Sequence, residues 1–114
     1  MLRAERDIEQ LNVILRYCDR LGEALSRFGE SYEAFSADTV FQDSCSLCII
    51  QIGEAVHRLS ADFIDAHPEI DWRRVYGMRC HLVHGYEMFD AEIVWDALER
   101  CIPPLRAFCE QQVR

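Results

Sequence analysis

A regular repeat of apolar residues in the middle of the chain constrains the fold more than any other feature. Apolar side chains recur in alternating steps of four and three residues, at Phe41, Cys45, Cys48, Ile52, Ala55 with Val56, Leu59 and Phe63. Steps of this kind place the side chains on one side of an α-helix, as a seam that packs lengthwise against a neighbouring helix. The repeat therefore predicts a long, largely buried helix, with Asp38 before it as a candidate N-cap.

Helical patterns on both sides of this repeat predict its partners. Residues 3–28 carry an apolar stripe with charges on the other face, and the glycine that follows is expected to end this helix. Residues 31–35 are expected to form a short connecting turn that lays Tyr32 or Phe35 on the core. The sequence therefore predicts a long amphipathic helix, then a turn, then the central helix.

The second half of the chain repeats the helical pattern after a break at His67 and Pro68. A helix is expected from near Asp71, and another after Asp90, with a kink or break at residues 101–104 because two prolines lie there. No strand pattern competes anywhere. We predict an all-α fold, an antiparallel bundle of four long helices with extra short helices, formed by residues 1–114 as a single domain.

Composition narrows the environment and the partners. The longest apolar run, residues 47–50, is far too short to cross a bilayer, and the N-terminal residues lack the apolar region of a signal peptide. We therefore expect a cytoplasmic protein without a membrane segment. The formal net charge of −8 argues against tight, non-specific binding to nucleic acid, although it leaves room for a local basic site.

Six cysteines are expected to be reduced in that compartment. Five of them (Cys18, Cys45, Cys48, Cys101 and Cys109) fall at apolar positions of predicted helices, where cysteine behaves as a small hydrophobic residue. Cys45 and Cys48 have the spacing of zinc ligands, but no second Cys-x-x-Cys or His-x-x-x-His motif accompanies them. We expect no metal site, and a zinc or redox sensor remains only a remote alternative.

The segment from Trp72 to Tyr86 concentrates cationic and titratable groups in this acidic chain, with three arginines, two histidines and no acid. Arginine offers a planar charged fork that suits phosphate oxygens, and histidine can both take and give a proton near neutral pH. The candidate pair for phosphoryl chemistry is Arg79 and His84. The plainer interpretation is that an arginine and a histidine near a helix end cap its terminal carbonyls.

Helical geometry separates this pair. Arg79 and Tyr86 are seven residues apart and would point the same way, whereas His84 lies about 140° around the axis from Arg79. Joint action therefore needs either a helix end at Gly85 that releases the neighbouring residues, or a second protomer that supplies the missing partner.

The glycine at position 53 predicts a close approach within the central helix. Glycine inside a helix costs about 1 kcal/mol relative to alanine, so its presence suggests that another backbone or side chain packs against it. Glu54 next to it has two interpretations. It faces solvent, or it holds Arg79 in position if the two helices lie side by side.

Four stretches of the chain together resemble one protein family. Arg79, His84 and Tyr86 form an Arg-x4-His-x-Tyr pattern, and residues 52–55, 67–73 and 90–95 extend the likeness over most of the chain. The set resembles the HepT-like toxins of the HEPN superfamily. Our leading hypothesis is therefore a ribonuclease toxin that uses no metal or cofactor and cleaves RNA, such as tRNA or mRNA, with Arg79 and His84.

The resemblance also implies partners. Arg79 and His84 would line a cleft at the interface of a homodimer, and an MntA-type nucleotidyltransferase antitoxin would attach AMP to Tyr86 and block toxicity. The residue after the motif arginine is usually polar in the family, but here it is Cys80, which could weaken the hold on substrate or on Arg79. Residues 87–88 also depart from the more usual aromatic.

The alternative hypothesis is a HEPN domain without cleavage activity that serves as a dimeric scaffold or binding partner for a nucleotidyltransferase. Cys80 and the net charge of −8 favour it. The remaining histidines, His57, His67 and His81, carry no partner pattern and are expected to be surface or packing residues.

Overall fold

The computed structural model describes residues 2–85 and 88–114, so the expected modification site Tyr86 lies outside the described residues, as does Glu87. The described residues form helices and no strand, which confirms the predicted all-α fold. The helices are α1 (Arg3–Phe28), α2 (Tyr32–Ala37), α3 (Thr39–Arg58), α4 (Ala61–Ala66), α5 (Trp72–His84), α6 (Ala91–Arg100) and α7 (Ile102–Gln112).

Helix α3 is the centre of the bundle. It packs along α1 on one side and along α5 on another, while α7 packs against α1, and α6 contacts α2 and α7. The apolar seam of α3 is buried as predicted, and its Phe41, Cys45 and Ile52 are fully buried. Because α3 packs against both α1 and α5, it fixes the position of α5, which carries the arginine and histidine motif.

The central helix ends earlier than the seam predicted. Helix α3 stops at Arg58, so that Phe63 belongs to the short helix α4. The backbone N–H and hydroxyl of Ser60 donate to Asp7 at 2.8 and 2.7 Å, and the Ser60 Oγ accepts from the N–H of Phe63 at 3.1 Å. Asp7 is buried in this contact, one turn before Leu11 on the buried face of α1. A contact from α1 therefore sets the point at which α3 ends, and no pattern in the neighbouring sequence predicted it.

The predicted helix ends are otherwise confirmed. Asp38 and Asp90 accept hydrogen bonds from the first-turn N–H groups of α3 and α6. Gly29 ends α1 with a φ of 112°, a conformation that glycine adopts without steric cost. Cys101 separates α6 from α7, as expected from the two prolines that follow it.

The connection between α1 and α3 differs from the predicted turn. It contains the helix α2, and the hydroxyl of Ser31 caps this helix by accepting from the N–H of Ala34 at 3.1 Å. Phe35 is the residue that is fully buried, whereas Tyr32 is half-buried. The prediction that one of the two aromatic residues reaches the core is therefore confirmed for Phe35.

None of the helices in the described parts of the chain combines the length and the apolar character that a membrane crossing requires.

Candidate functional site

Helices α3 and α5 approach most closely at Gly53. A Cβ built on Gly53 would overlap the Cβ of Arg79 and lie 3.0 Å from its Cγ. Any side chain at position 53 would therefore displace the stem of Arg79. This confirms the prediction that Gly53 marks a close approach, and it identifies Arg79 as the group that approaches.

The next residue of α3 meets the charged end of the same arginine. The Nε of Arg79 lies 2.5 Å from the Oε1 of Glu54, and the two side chains are 22% and 27% exposed. The N–H of this buried Nε is not aligned with an acceptor in the described residues, so the contact is an ion pair rather than a well-formed hydrogen bond. Of the two interpretations of Glu54, the one in which it contacts Arg79 matches the structure.

Arg79 remains charged in this half-buried setting. Burial alone would lower the pKa of Arg79, but interaction with the Cys80 side chain and the negative charge of Glu54 outweigh it, so the pKa is raised above its usual value. The closest contact of the ion pair is made by Nε, and Glu54 is the one acid among the described residues that pairs with Arg79. A single carboxylate therefore faces a guanidinium that carries five N–H donors.

Two aromatic rings extend this site, and the sequence did not single them out. The Cζ of Arg79 lies over the ring of Tyr76, 5.8 Å from the ring centroid. The ring of His57 stacks on Tyr76 with centroids 4.7 Å apart and an interplanar angle of 14°. His57 follows Glu54 by three residues on α3, and that spacing was the available signal, because it places the two side chains on one face of a helix.

Cys80 lies one turn after Tyr76 and is half-buried. Interaction with the Cys80 side chain raises the pKa of the Tyr76 hydroxyl above its ordinary value, and burial adds to this increase. The hydroxyl therefore stays protonated at neutral pH, and the ring that faces Arg79 is neutral.

His84 is the last residue of α5 and is exposed. Gly85 ends the helix, and its N–H donates to the carbonyl of His81 at 2.8 Å. Because the helix still includes His84, the end at Gly85 does not turn this side chain towards Arg79. Regular helical geometry therefore separates the two residues by about 140° around the axis of α5.

His81 lies between the two motif residues and is half-buried. Its Nε2 is buried and has no hydrogen-bond partner among residues 2–85 and 88–114. His67 packs among aromatic rings, with its ring centroid 4.9 Å from that of Phe108.

The cysteine pair with zinc-like spacing lies in the core. Burial raises the pKa of Cys45 to about 12 and also raises the pKa of Cys48, so both remain thiols at neutral pH. Metal ligation requires thiolates, which this environment disfavours. The described residues contain no group of three or more histidines, cysteines or acids that could hold a metal ion.

Comparison with known proteins identifies relatives of this chain. The model of the family described as "Ribonuclease HepT-like" matches residues 6–112. A protein named "Putative RNase" from Caldanaerobacter subterraneus subsp. tengcongensis is 34% identical, over 91% of this chain and 88% of its own length. A protein named "Probable ribonuclease HepT" from Thermococcus cleftensis is 31% identical, over 83% of this chain and 91% of its own length.

No solved structure matches this chain significantly. The family model spans nearly all of the sequence, including α3 and α5 with the Gly53 contact and the ion pair between Glu54 and Arg79. The chain therefore belongs to the HepT-like ribonuclease family of HEPN proteins.

Proposed function

We propose that this protein is a metal-independent endoribonuclease toxin whose active site combines Arg79 of one protomer with His84 of a second protomer in a homodimer. The observation that carries the proposal is the state of Arg79, which stays charged, is 22% exposed and is paired through Nε with a single acid of the described residues, Glu54. A guanidinium held in this way can bind two phosphate oxygens at once.

The chemistry needs only these two side chains. His84 takes the proton from a ribose 2′-hydroxyl, and the resulting oxygen attacks the adjacent phosphorus. The bond between phosphorus and the 5′-oxygen breaks, which leaves a 2′,3′-cyclic phosphate on one fragment. The 5′-oxygen takes a proton from water to become a hydroxyl on the other fragment, and the protonated His84 returns its proton to the hydroxide that remains. Arg79 stabilises the negative charge that builds on the phosphate oxygens during this step.

The separation of Arg79 and His84 on α5 is the reason for proposing a dimer. Helix α5 extends through His84, so the two side chains diverge within one chain. A symmetric pair of protomers would face the Arg79 of each chain with the His84 of the other, because a two-fold interface uses the same surface twice. A monomer would then hold two incomplete halves.

Control of such a toxin is proposed to come from a nucleotidyltransferase antitoxin that transfers AMP to Tyr86. Tyr86 follows His84 by two residues, so an adenylyl group there would add bulk and negative charge close to the motif. That charge would compete with substrate phosphate for Arg79. The proposal predicts an AMP adduct on Tyr86 after co-expression with the antitoxin, seen by intact-mass and peptide mass spectrometry.

A second candidate function is a dimeric scaffold that binds the nucleotidyltransferase without cleaving RNA. It is favoured by the ion pair with Glu54, which partly neutralises the cation, and by Cys80, whose thiol is a weak hydrogen-bonding group. In that case the partner would bind while RNA remained intact at high protein concentration.

The deciding experiment is cleavage of tRNA and mRNA by the purified protein in the presence of EDTA. We expect cleavage by the wild type and a loss of about 10²- to 10⁴-fold in the His84→Gln variant, because proton transfer by a positioned side chain is worth that much. His67→Gln is the matched control, since His67 packs against Phe108 instead. Equal cleavage by His84→Gln and wild type, or none by either, would reject the ribonuclease proposal.

A further inference from the structure

The aromatic pair beside the candidate site has no role in the chemistry described above. Tyr76 is half-buried on α5, and His57 is exposed on α3, so the stack between them joins the same two helices that Glu54 and Arg79 join. Arg79 therefore makes two contacts of different kinds, an ion pair between its Nε and a carboxylate and a cation–π contact between its Cζ and an aromatic ring.

We propose that Tyr76, braced by the stacked ring of His57, is a positioning residue that holds the guanidinium of Arg79 for phosphate. The inference rests on the proposed ribonuclease function for its kinetic consequence, but the positioning of Arg79 is measurable without any cleavage. Neither aromatic residue is required to touch RNA.

An aromatic ring suits this place because, unlike a carboxylate, it does not compete with substrate for the N–H donors of Arg79. A carboxylate occupies N–H donors of the guanidinium, and those are the groups that phosphate needs. An aromatic ring attracts the cation through the face of its π-system and leaves the N–H edge unused. The distance of 5.8 Å from Cζ to the centroid of Tyr76 lies within the range of this interaction.

The stack with His57 gives Tyr76 a fixed orientation. The two planes differ by only 14°, and the centroids are 4.7 Å apart, which is the spacing of an offset aromatic stack. His57 itself is anchored by α3, three residues after Glu54, so one rigid helix sets both supports of Arg79. The stack therefore ties the Tyr76 ring to α3, in addition to its packing against the core.

The first test measures Arg79 directly by NMR of arginine Nε–Hε groups, with the Arg79 signal assigned through its loss in Arg79→Lys. In Tyr76→Leu we expect the signal to shift and its Hε to exchange faster with solvent, whereas Tyr76→Phe should resemble wild type. His57→Ala should behave like Tyr76→Leu in a weaker form, and His57→Phe should restore the signal because it keeps a stacked ring. An unchanged Arg79 signal in a folded Tyr76→Leu protein would overturn the proposal.

The second test measures RNA cleavage by the same variants. We expect Tyr76→Leu to lower kcat by about three- to tenfold, the size of a cation–π contact, with a smaller change in KM. Tyr17→Leu is the matched control, because the Cζ of Arg20 lies 4.8 Å from the Tyr17 ring in a pair of the same kind on α1. Equal losses in Tyr17→Leu and Tyr76→Leu would show a general effect on folding and reject a positioning role.

The two tests separate failure of this inference from failure of the proposed function. Absence of cleavage by wild type would reject the ribonuclease proposal, while the NMR comparison would still decide whether Tyr76 holds Arg79. Cleavage that is normal in Tyr76→Leu, with Arg79→Ala inactive, would reject the inference and leave the ribonuclease proposal intact.

Discussion

Two of the arginines that join pairs of helices in this bundle, Arg79 and Arg106, do so in different ways. Arg106 on α7 contacts Asp19 on α1, and its Nε also lies 2.9 Å from Glu110 on its own helix. Its side chain is 41% exposed, about twice as much as that of Arg79. Interaction with Glu110 is the main reason why the pKa of Arg106 is raised, and Asp19 adds to it.

The difference between the two regions lies in what remains available. Arg106 has one carboxylate at Nε and another at a terminal nitrogen, so both of its donor edges are used within the chain. Arg79 has one carboxylate and one aromatic ring as partners among the described residues. Arg106 thus ties two helices together between two acids, whereas Arg79 has a single acid and, in our proposal, binds the phosphate of the substrate.

The largest expected effect comes from removing each arginine in turn. Arg79→Ala should lower RNA cleavage by about 10²- to 10³-fold, because a preorganised group that stabilises transition-state charge contributes that much. Arg106→Ala should leave the cleavage rate close to wild type, since its charge is already engaged. Cleavage assays on the two variants, with circular dichroism to confirm folding, check this difference. Equal losses of activity would contradict different roles for the two arginines.

The glycines offer the next test. Gly53→Ala should destabilise the protein by about 1–3 kcal/mol, because the new methyl group overlaps the stem of Arg79 in a packed interface. Gly22→Ala on α1 is the matched control, since a Cβ there meets no atom within 4 Å. That change should stabilise the protein by up to about 1 kcal/mol through helix propensity. Urea denaturation measures both, and equal signs would contradict the packing described for Gly53.

The ion pairs of Arg106 predict a smaller effect on stability. Asp19→Asn removes one of its two partners, and exposed pairs of this kind contribute about 0.2–1 kcal/mol. We expect a loss in the free energy of unfolding within that range, diminishing as salt is added. A loss above about 2 kcal/mol that salt does not change would show that Arg106 depends on Asp19 far more than exposed pairs normally do.

The smallest expected effect is a difference in thiol reactivity between the region around Arg106 and the region around Arg79. Burial raises the pKa of both Cys18 and Cys109, near Arg106, to about 12, so at pH 8 they are protonated and shielded from reagents. Cys80, beside Arg79, is half-buried and within reach of solvent. Iodoacetamide at pH 8 should therefore label Cys80 first, as peptide mass spectrometry would record. Earlier labelling of Cys18 or Cys109 would contradict the burial of the region around Arg106.

The sequence predicted the longer helices and the close approach at Gly53 because both depend on local patterns. Periodicity, cap residues and a glycine inside an apolar seam are visible along the chain. The break at Ser60 was not predicted, because it depends on Asp7, more than fifty positions away and on another helix. The same reason applies to Tyr76, whose position between His57 and Arg79 follows from how α3 and α5 pack.

The sequence alone did not decide how Arg79 and His84 come together. It left two alternatives, a helix end at Gly85 or a second chain. The helix does end at Gly85, but only after His84, so the helix end alone does not unite the pair. The composite site is therefore the central claim.

Mixing two inactive variants tests this claim most directly. Arg79→Ala and His84→Ala should each lose RNA cleavage, and mixing them under conditions that exchange protomers should form heterodimers with one intact site. For random pairing of equal amounts, we expect activity to return to about a quarter of wild type, since half of the dimers carry one of two sites. A mixture that exchanges protomers but stays as inactive as its components would contradict a site shared between two chains.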